Sequence, residues 1–336
     1  MEPLKVGVIG TGSIAQVVHL PILNKMDDVE LVAICDIDDS KIHKLVEKFH
    51  IPSWYRTPDQ MIKSEQLDAV HICTSSHYHF PMSYLALKNG IHVLVEKPVA
   101  LNASDARKLY QTATDNQLTM MIGMQNRFRD DVQTLKELII NDELGDIFYI
   151  KTGWLKRWAK LPLQSWQTKK EFSGGGVLID LGIQLIDLAL YLTELPEIKT
   201  LRLYDYTLNP SYQVEDAALA VMETKSGMTI TVETSWRMHL ENDQVYTHIF
   251  GTKGSAYLDP LRIHKDLHGN LVNVTPMQQK KRTDRFKAAY ETEIRHFMDV
   301  IRGKEENQSS AEDAAYIMQI IDALYESAKR GKPVGL

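Results

Sequence analysis

The 336-residue chain has only two cysteines, Cys35 and Cys73, which cannot build a disulfide framework and predict a reducing compartment. It also lacks an excess of positive charge, because 38 Lys and Arg residues against 44 Asp and Glu residues give a formal net charge of 38 − 44 = −6. A nucleic-acid-binding protein normally carries a basic face, so this balance argues against a nucleic-acid partner. The charged fraction of 24% and the hydrophobic fraction of 44% exclude a disordered or collagen-like chain.

Long hydrophobic runs are scarce as well. No run of residues approaches the roughly 18 apolar positions of a membrane-spanning helix, so no membrane partner is expected. The first ten residues lack the basic start and long apolar stretch of a secretory signal, and they predict a β-strand that ends in glycine. We therefore expect a cytoplasmic enzyme. At about 150 residues per domain, the length predicts two domains.

The first third of the chain alternates short apolar runs with helical patterns. Five runs are mostly apolar on both faces, as buried parallel strands are, and are predicted as strands: 5–9, 30–35, 69–73, 92–95 and 119–123. Helical spacing lies between them at 14–24, 40–49, 80–89 and 103–117. This alternation predicts βαβ units and a doubly wound parallel sheet.

The pattern changes after residue 124. Helical spacing is found at 131–141, 177–193, 285–302 and 311–330. Strand-like runs are found at 147–158, 199–208, 216–224, 228–236, 244–250 and 254–258. Consecutive strands joined by turns predict a mostly antiparallel open sheet. We divide the chain into a nucleotide-binding domain, 1–124, and an α/β domain for substrate binding and oligomerisation, 125–336.

A glycine-rich turn follows the first predicted strand and opens the first helix. Gly10 permits the tight turn, Gly12 lets the backbone approach a pyrophosphate, and Ala15 is small enough for close packing of the helix on the sheet. Ser13 and Ile14 open the helix, whose free N–H groups and positive dipole end favour phosphate. A lone glycine pattern is weak evidence, but this one has the required strand–turn–helix context.

The second predicted strand leads into Asp36, 21 residues after Ala15. An acidic residue at this position normally binds the ribose hydroxyls of a dinucleotide. No Arg or Lys follows immediately to hold a 2′-phosphate, so the sequence favours NAD over NADP. The alternative is a structural βα turn in which the aspartate caps the second helix.

The fifth predicted strand ends in Glu96-Lys97-Pro98. In open α/β sheets, ligands lie beyond the carboxyl ends of the strands. Lys97 would therefore bring an ammonium group beside the nicotinamide half of a dinucleotide. The alternative is an ordinary surface lysine at a strand end.

Further motifs follow along the chain, and together they are specific: Gly10-x-Gly12-x-x-Ala15, Thr74-Ser-Ser-His-Tyr-His79, Gly90-Ile-His-Val-Leu-Val-Glu96-Lys97-Pro98, Gln125-Asn-Arg127-Phe128, Ser173-Gly-Gly-Gly176, Asp180-x-Gly182-x-Gln184-x-x-Asp187 and Glu293-x-x-x-Phe297-x-x-x-Ile301-x-Gly303. In these motifs, which span essentially the whole chain, the sequence resembles the glucose–fructose oxidoreductase, inositol dehydrogenase and rhizopine catabolism family, written Gfo/Idh/MocA. The resemblance implies a Rossmann domain plus an α/β domain with an open antiparallel sheet. It implies oxidation or reduction of sugars and polyols with a pyridine nucleotide, and a homodimer or homotetramer formed through that sheet.

The resemblance also implies roles for motif residues. Lys97 corresponds to the catalytic lysine of the family. We assign Thr74, Ser75, His79 and Glu96 to the cofactor site with it, and an alternative for His79 is a cap on the following helix. His77 and His79 lie two residues apart, but no carboxylate or cysteine set completes a metal site nearby, so no metal is predicted.

The helix predicted after the glycine run is apolar nearly all round, and only Asp180, Gln184 and Asp187 interrupt its interior. At about 100° per residue, Gln184 lies about 40° and Asp187 about −20° from Asp180, so the three form one narrow stripe. Buried polar groups need partners, and the stripe must face a polar pocket or another polar element. A hydrogen-bonded structural network is the alternative.

The family carries a histidine, its usual proton acceptor, where this chain has Gln184. An amide can hold a substrate hydroxyl but does not titrate. Either Lys97 is itself the acid–base group, or another residue supplies the base, or the protein binds NAD and sugar without turnover. We favour Lys97, with Asp180 as an acceptor that orients Lys97 or a hydroxyl.

Aromatic and cationic residues cluster near the first strand of the second domain. Trp154 and Arg157 lie on that strand, and Trp166 and Lys170 follow in the loop before the glycine run. Tryptophan faces stack on sugar rings, and Arg and Lys bind hydroxyls or acids, so all four are candidate substrate residues. Packing at the domain junction is an equally good explanation.

Arg127 follows the last strand of the first domain. It either faces the cleft, where it would touch cofactor and substrate, or braces the turn between the domains; we favour the cleft. The resulting prediction is an NAD-dependent oxidoreductase that acts on a secondary hydroxyl of a sugar, glycoside or polyol. The alternatives are an NAD-dependent glycosidase of the same family, with transient oxidation of a ring carbon, and a non-catalytic NAD- or sugar-sensing protein.

Overall fold

The structure, a computed structural model, describes residues 2–158, 162, 165–277 and 282–336. Contacts between Cα atoms divide the chain into two compact units. Unit 1 comprises Met1–Met124 and Tyr290–Ala315, and unit 2 comprises Gln125–Ala289 and Tyr316–Leu336. The segment Tyr290–Ala315, which the division by sequence places in the second domain, therefore clusters with the first unit.

Unit 1 is built on a parallel sheet of six strands: β1 (Leu4–Ile9), β2 (Val29–Cys35), β3 (Ser53–Tyr55), β4 (Ala69–Ile72), β5 (His92–Glu96) and β6 (Met120–Gly123). Their order is β3-β2-β1-β4-β5-β6. The order reverses between β1 and β4, so the carboxyl ends of these two strands flank the crevice where such sheets bind ligands. The predicted Rossmann-type sheet is confirmed. Strand β3 was not predicted because three residues are too few to show a pattern.

Helices connect these strands. A π-helical turn, Ala15–His19, continues into α1 (Leu20–Leu23), and a 3₁₀ turn, Ser76–Tyr78, leads into α4. The α-helices between these and later strands are α2 (Asp39–Phe49), α3 (Pro58–Ser64), α4 (His79–Lys88) and α5 (Ala103–Asp115). Side-chain caps explain where several of them begin: Asp38 accepts from the N–H groups at the start of α2, and Asn102 does the same for α5.

Unit 2 contains a mixed sheet of nine strands: β7 (Ile147–Arg157), β8 (Ile198–Tyr206), β9 (Ala217–Thr224), β10 (Thr229–Met238), β11 (Gln244–Gly251), β12 (Gly254–Leu258), β13 (Arg262–Leu267), β14 (Asn270–Asn273) and β15 (Val334–Gly335). Their order is β14-β13-β12-β11-β7-β10-β9-β8-β15. Only β7 and β10 pair in parallel, and the other neighbours pair antiparallel, which confirms the predicted mostly antiparallel sheet. Strands β13 to β15, which are short or polar, were not predicted.

The helices of the second half are α6 (Asp130–Ile140), α7 (Lys170–Ser173), α8 (Ile183–Leu192), α9 (Arg282–Ile301) and α10 (Ala311–Arg330). A 3₁₀ turn, Gln125–Phe128, precedes α6, and a π-helical turn, Leu178–Gly182, runs directly into α8. All ten residues of α8 are buried, which explains why its sequence is apolar on nearly every side.

One helical stretch, Lys170–Leu192, is long and apolar enough to cross a membrane by length and composition. This finding corrects the expectation that no run of residues approaches that length. Core helices of soluble proteins pass the same test, and 94% of the most apolar window of this stretch is buried inside the protein.

Candidate functional site

The two glycines of the turn after β1 are constrained differently. Gly10 has a φ of +88°, and a Cβ there would lie 2.7 Å from Thr74 Cγ2 and 2.8 Å from the carbonyl carbon of Cys73. Only glycine fits this position. A Cβ on Gly12 would meet nothing closer than the Cys73 oxygen at 3.8 Å, so the space over its backbone is open. A bulky phosphate group can therefore approach Gly12, as the sequence predicts.

The helix that follows this turn presents its N-terminal end at the carboxyl edge of β1. Ser13 is exposed, Ile14 is half-buried and Ala15 is fully buried against the sheet. The first N–H groups of a helix have no partner within the helix and carry its positive dipole end. This end of the helix can bind an anion such as a pyrophosphate.

Asp36 lies at the end of β2 and is half-buried. Its Oδ2 accepts hydrogen bonds from the backbone N–H and the hydroxyl of Thr11, each 2.7 Å long, and its Oδ1 accepts from the Asp38 N–H. Burial raises the pKa of Asp36, but these hydrogen bonds outweigh burial and hold the pKa below its ordinary value. Asp36 is thus an ionised carboxylate at neutral pH. It does not cap α2, because Asp38 does.

The loop after β4 is tied to the segment after β5 by a buried histidine. His79 is 1% exposed, with Nδ1 2.6 Å from the Pro98 oxygen and Nε2 3.0 Å from the Thr74 oxygen. Thr74 and Ser75 are half-buried, and Ser75 Oγ lies 3.3 Å from His77 Nδ1. His79 therefore positions the backbone around the site; the predicted contact of its side chain with the cofactor is wrong, because both ring nitrogens face the protein.

Glu96 and Lys97 point to different environments. Glu96 is 8% exposed, and its Oε1 lies 3.0 Å from Nε2 of the fully buried His19. The carboxylate of Glu96 therefore makes a buried contact within unit 1, which corrects the prediction that it binds the cofactor. Lys97 is half-buried at the carboxyl edge of the sheet, as the sequence predicts, and precedes a cis proline, Pro98.

The glycine run before α8 makes room for two buried side chains. A Cβ on Gly175 would lie 2.0 Å from the Tyr325 hydroxyl, and one on Gly176 would lie 1.9 Å from the backbone oxygen of Glu215 and 2.9 Å from its carboxyl carbon. The Glu215 carboxylate accepts from the N–H groups of Gly176 and Leu178 and from the Tyr325 hydroxyl. Burial raises the pKa of Glu215, although these donors oppose the rise. Glu215 thereby anchors the start of the helix that presents Asp180.

The polar side chains of this stripe are bonded to side chains from other elements of unit 2. Asp180 Oδ2 accepts from Trp236 Nε1 at 2.9 Å, and Gln184 Oε1 accepts from Gln125 Nε2 at 3.1 Å. Asp180 is half-buried, whereas Gln184 is 5% exposed. The stripe therefore faces another polar element, one of the two predicted environments, and of the three polar side chains only Asp180 is not fully buried.

Arg127 binds Asp187, the third residue of the polar stripe. Its guanidinium binds Asp187 through Nη2 at 2.6 Å and Nε at 3.0 Å, lies over the Tyr191 ring at 4.9 Å, and is 1% exposed. A buried guanidinium is retained only with such a partner. The guanidinium of Arg127 is therefore held in a buried ion pair within unit 2, which corrects the prediction that it faces a cleft and touches cofactor and substrate.

The candidate substrate residues of unit 2 are mostly exposed. Arg157 ends β7, Trp166 lies in a 3₁₀ turn with 38% exposure, and Lys170 begins α7 and is exposed. Trp154 is half-buried on β7 with the Lys156 ammonium 5.6 Å from its ring centre. These four side chains all belong to unit 2.

Trp154 also lines a cavity within unit 2. The cavity holds about 790 Å³ of empty space including its opening to solvent, and its wall includes Gln125, Arg129, Leu188 and Arg285. Gln125 links this cavity to Gln184. The wall combines an aromatic face with amide and guanidinium donors, which suits a ring that carries hydroxyl groups.

No group of three or more His, Cys, Asp or Glu side chains that could hold a metal ion is found among the residues that the structure describes. His77 and His79 in particular turn their rings to Ser75 and to backbone oxygens.

Residues 4–124 match the family described as "Oxidoreductase family, NAD-binding Rossmann fold", and residues 136–336 match "Oxidoreductase family, C-terminal alpha/beta domain". The chain belongs to the Gfo/Idh/MocA family of oxidoreductases. The family resemblance carried by the motifs is confirmed, and so is the prediction of an enzyme.

Relatives of known activity cover the whole chain. The D-glucoside 3-dehydrogenase of Escherichia coli K12 is 32% identical over 100% of this chain and 98% of its own length. The myo-inositol 2-dehydrogenase of Thermotoga maritima is 26% identical over 99% of this chain and 98% of its own. Both relatives are named as dehydrogenases of sugars or polyols.

Solved structures share the fold. Levoglucosan dehydrogenase, in complex with NADH and levoglucosan, superposes with a TM-score of 0.89 at 21% identity, and the match covers 99% of each chain. GenD2 of gentamicin A biosynthesis, in complex with NAD, gives a TM-score of 0.86 at 22% identity over 100% of this chain and 97% of that one. At this level of identity they support the Gfo/Idh/MocA fold alone.

Two residues of the candidate site carried no signal of their own in the sequence. Trp236, 1% exposed, binds Asp180, and Gln125 binds Gln184. Both partners are more than 50 positions distant in sequence, so no local spacing pairs them. Gln125 lies within a family motif, but the motif does not say which side chain it contacts.

Proposed function

We propose that this Gfo/Idh/MocA enzyme oxidises a secondary ring hydroxyl of a sugar, glycoside or polyol with NAD, and that D-glucosides are its first substrate class to test. The observation that carries the proposal is the 32% identity to a D-glucoside 3-dehydrogenase over the entire chain. The reaction would be reversible, because hydroxyl and ketone are exchanged by the same chemistry.

The residues of unit 1 fit a dinucleotide. The open backbone at Gly12 and the helix end at Ser13 suit the pyrophosphate, and the ionised Asp36 suits a ribose diol. When bound, NAD supplies the hydride acceptor. A negative Asp36 opposes a 2′-phosphate, which favours NAD over NADP.

Lys97 is proposed to accept the proton of the substrate hydroxyl. An unprotonated Nζ can accept this proton, and Lys97 lies at the sheet edge where a nicotinamide would lie. In unit 2, Asp180 supplies an acceptor oxygen for substrate hydroxyls, while Gln184, whose amide does not titrate, positions without exchanging a proton. The exposed Trp166, Arg157 and Lys170 are proposed to contact the rest of the sugar.

A homodimer or homotetramer belongs to the same proposal. The sheet of unit 2 carries half-buried aromatic side chains in mutual contact, with Tyr149 stacked on Phe250 at 5.7 Å and Tyr257 6.1 Å from Phe250. Such a face suits a second copy of the sheet. A cytoplasmic location is proposed with it, because Cys35 and Cys73 are free, buried thiols.

A substrate panel tests the proposal. Methyl and aryl D-glucosides, free aldoses and myo-inositol would each be incubated with the enzyme and NAD, with NADH absorbance and released aglycone both recorded. We expect NADH to form with a glucoside, and Lys97→Met to lower kcat by about 10²–10⁴-fold while the Kd for NAD changes by less than several-fold. Aglycone release without net NADH would indicate a glycosidase instead, and tight NAD and sugar binding without any turnover would indicate a sensor.

A further inference from the structure

Three buried side chains form a hydrogen-bonded chain in unit 1 that the proposed reaction does not use. His71 on β4 lies with its Nδ1 2.9 Å from Nδ1 of His19, and Nε2 of His19 lies 3.0 Å from Oε1 of Glu96. Both histidines are 0% exposed and Glu96 is 8% exposed. Buried polar groups are costly unless they are bonded, so a chain of three needs an explanation.

The environment of one atom, His71 Nε2, shows which ring nitrogens of this hydrogen-bonded chain carry protons. His71 Nε2 is buried and has no hydrogen-bond partner in the part of the chain that the structure describes. A buried N–H without an acceptor costs more than a bare lone pair, and burial lowers the pKa of His71 well below its ordinary value. His71 is therefore neutral and carries its proton on Nδ1.

The rest of the chain follows from this tautomer. The Nδ1–H of His71 donates to Nδ1 of His19, which must then be an acceptor. The proton of His19 is on Nε2 and is donated to the Glu96 carboxylate. Around functional and metal-bound imidazoles, a hydrogen bond at one ring nitrogen commonly fixes the tautomer and the orientation of the ring.

The positions of the three residues connect two parts of the candidate site. His19 ends the π-helical turn of the helix that opens at Gly12, and Glu96 directly precedes Lys97. The contact between their side chains is therefore a fixed link between the helix of the glycine turn and the segment that carries Lys97.

We propose that His19, held in its Nε2–H tautomer by His71, is a positioning residue that fixes Glu96 and thereby the position of Lys97. This inference rests on the proposed function only in giving Lys97 its catalytic role. The chain itself is a property of unit 1 alone and can be tested without substrate or cofactor.

The first test is the tautomeric state of the two rings. Long-range ¹H–¹⁵N correlation spectra of histidine-labelled protein distinguish the two neutral tautomers, and His19→Gln and His71→Leu variants assign the signals. We expect an Nδ1–H tautomer for His71 and an Nε2–H tautomer for His19 at neutral pH. An Nε2–H tautomer for His71, or a doubly protonated His19, would overturn the proposed chain.

The second test measures the position of Lys97 directly. Lysines of the cofactor-free protein would be acetylated briefly with acetic anhydride and quantified by peptide mass spectrometry in wild type, His19→Leu and His19→Gln. Glutamine can donate to Glu96 and accept from His71, whereas leucine of similar size can do neither. We expect the Lys97 rate to rise at least threefold in His19→Leu and to stay near the wild-type rate in His19→Gln.

The exposed lysines Lys48 and Lys63 are internal controls in the same spectra. Equal rises in the acetylation rates of Lys48, Lys63 and Lys97 would mean that unit 1 as a whole has loosened. An unchanged acetylation rate of Lys97 in His19→Leu would mean that the contact between His19 and Glu96 does not position Lys97. Either result overturns the positioning role. Loss of turnover in Lys97→Met with no effect of His19→Leu on Lys97 labelling would leave the proposed function intact and refute this inference alone.

Discussion

Single residues of one motif serve different purposes at the glycine turn. Gly10 is required by the protein itself, since its φ of +88° and the contacts at 2.7 and 2.8 Å leave no room for a side chain. Gly12 is not required by any neighbour closer than 3.8 Å. The folding of the chain and its binding of a dinucleotide can therefore be separated by two substitutions that add the same methyl group.

We expect Gly10→Ala to lower the free energy of unfolding by about 1–3 kcal/mol, because the methyl group overpacks the turn. Gly12→Ala should leave stability within about 0.5 kcal/mol, as at ordinary exposed positions, and should weaken NAD binding at least tenfold. Urea denaturation and calorimetric titration with NAD measure the two effects. Unchanged NAD affinity in Gly12→Ala would contradict the assignment of the pyrophosphate to this turn.

Asp36 is expected to decide between NAD and NADP. Its pKa is lowered by the donors around it, so it is ionised at neutral pH and repels a 2′-phosphate. Asp36→Asn keeps an oxygen acceptor for Thr11 but removes the charge. The ratio of the Kd for NADP to that for NAD should fall about tenfold, the effect of roughly 1.4 kcal/mol. Tighter binding of NADP than NAD by the wild type would refute this role.

Gln184 is expected to position substrate without taking part in proton transfer. Gln184→Ala removes the acceptor of Gln125 Nε2 and should raise KM more than it lowers kcat. Gln184→His should add an ionisation near the ordinary histidine pKa of about 6.5 to the pH profile of kcat/KM. A wild-type profile that already contains this ionisation, and retains it in Gln184→Ala, would point to a different base and remove Lys97 from that role.

At the scale of secondary-structure elements, unit 2 is cross-linked by buried ion pairs that no local pattern indicates. Asp131 at the start of α6 binds Arg129 through two hydrogen bonds of 2.9 and 2.7 Å and also binds Arg285 at the start of α9. Arg129 in turn binds Asp259 beyond β12. Burial raises the pKa of Asp131, but the hydrogen bonds and charges of the two arginines outweigh it, and the pKa is lowered.

The lowered pKa of Asp131 determines how its contribution to the free energy of unfolding changes with pH. A carboxylate with a folded-state pKa below its unfolded value of about 3.9 stabilises the fold above that value and loses this contribution as pH falls through the folded-state pKa. Asp131→Asn should therefore cost about 3–5 kcal/mol at pH 7 and less at pH 3. Urea unfolding at both pH values checks this, with Glu137→Gln on the exposed face of α6 as the control. An equal cost at both pH values would contradict the ion-pair explanation.

At the scale of the whole molecule, the sheet of unit 2 carries the predicted interface between copies. Light scattering should give the mass of two or four chains for the wild type. Tyr257→Glu introduces a charge among Phe250, His248 and His264, and should shift the mass toward a single chain. Ile140→Glu, an exposed position on α6, should not. A monomeric wild type, or an unaltered mass in Tyr257→Glu, would contradict the interface.

Alternation of apolar runs with helical spacing was sufficient to predict the parallel sheet of unit 1, because strands buried on both faces are visible in the sequence as continuous apolar runs. The glycine turn, Asp36 and Lys97 could be placed at its carboxyl edge because each directly follows a strand. The partners of the polar side chains could not be predicted. His79, Glu96 and Arg127 were assigned to ligands, yet each contacts a residue between 19 and 77 positions away in sequence.

The physical reason is that motifs record which residue is needed at a position, whereas burial and hydrogen bonding depend on what folds against it. Residue types and their spacing along the chain established the fold class, the family and the strand ends that carry the site. Tertiary structure alone decided that Asp36 accepts hydrogen bonds from Thr11 and that Arg127 pairs with Asp187. It also decided that Glu96 is hydrogen-bonded to His19, which in turn contacts His71. Those pairings are long-range, so only packing of the finished elements brings the groups within hydrogen-bond distance.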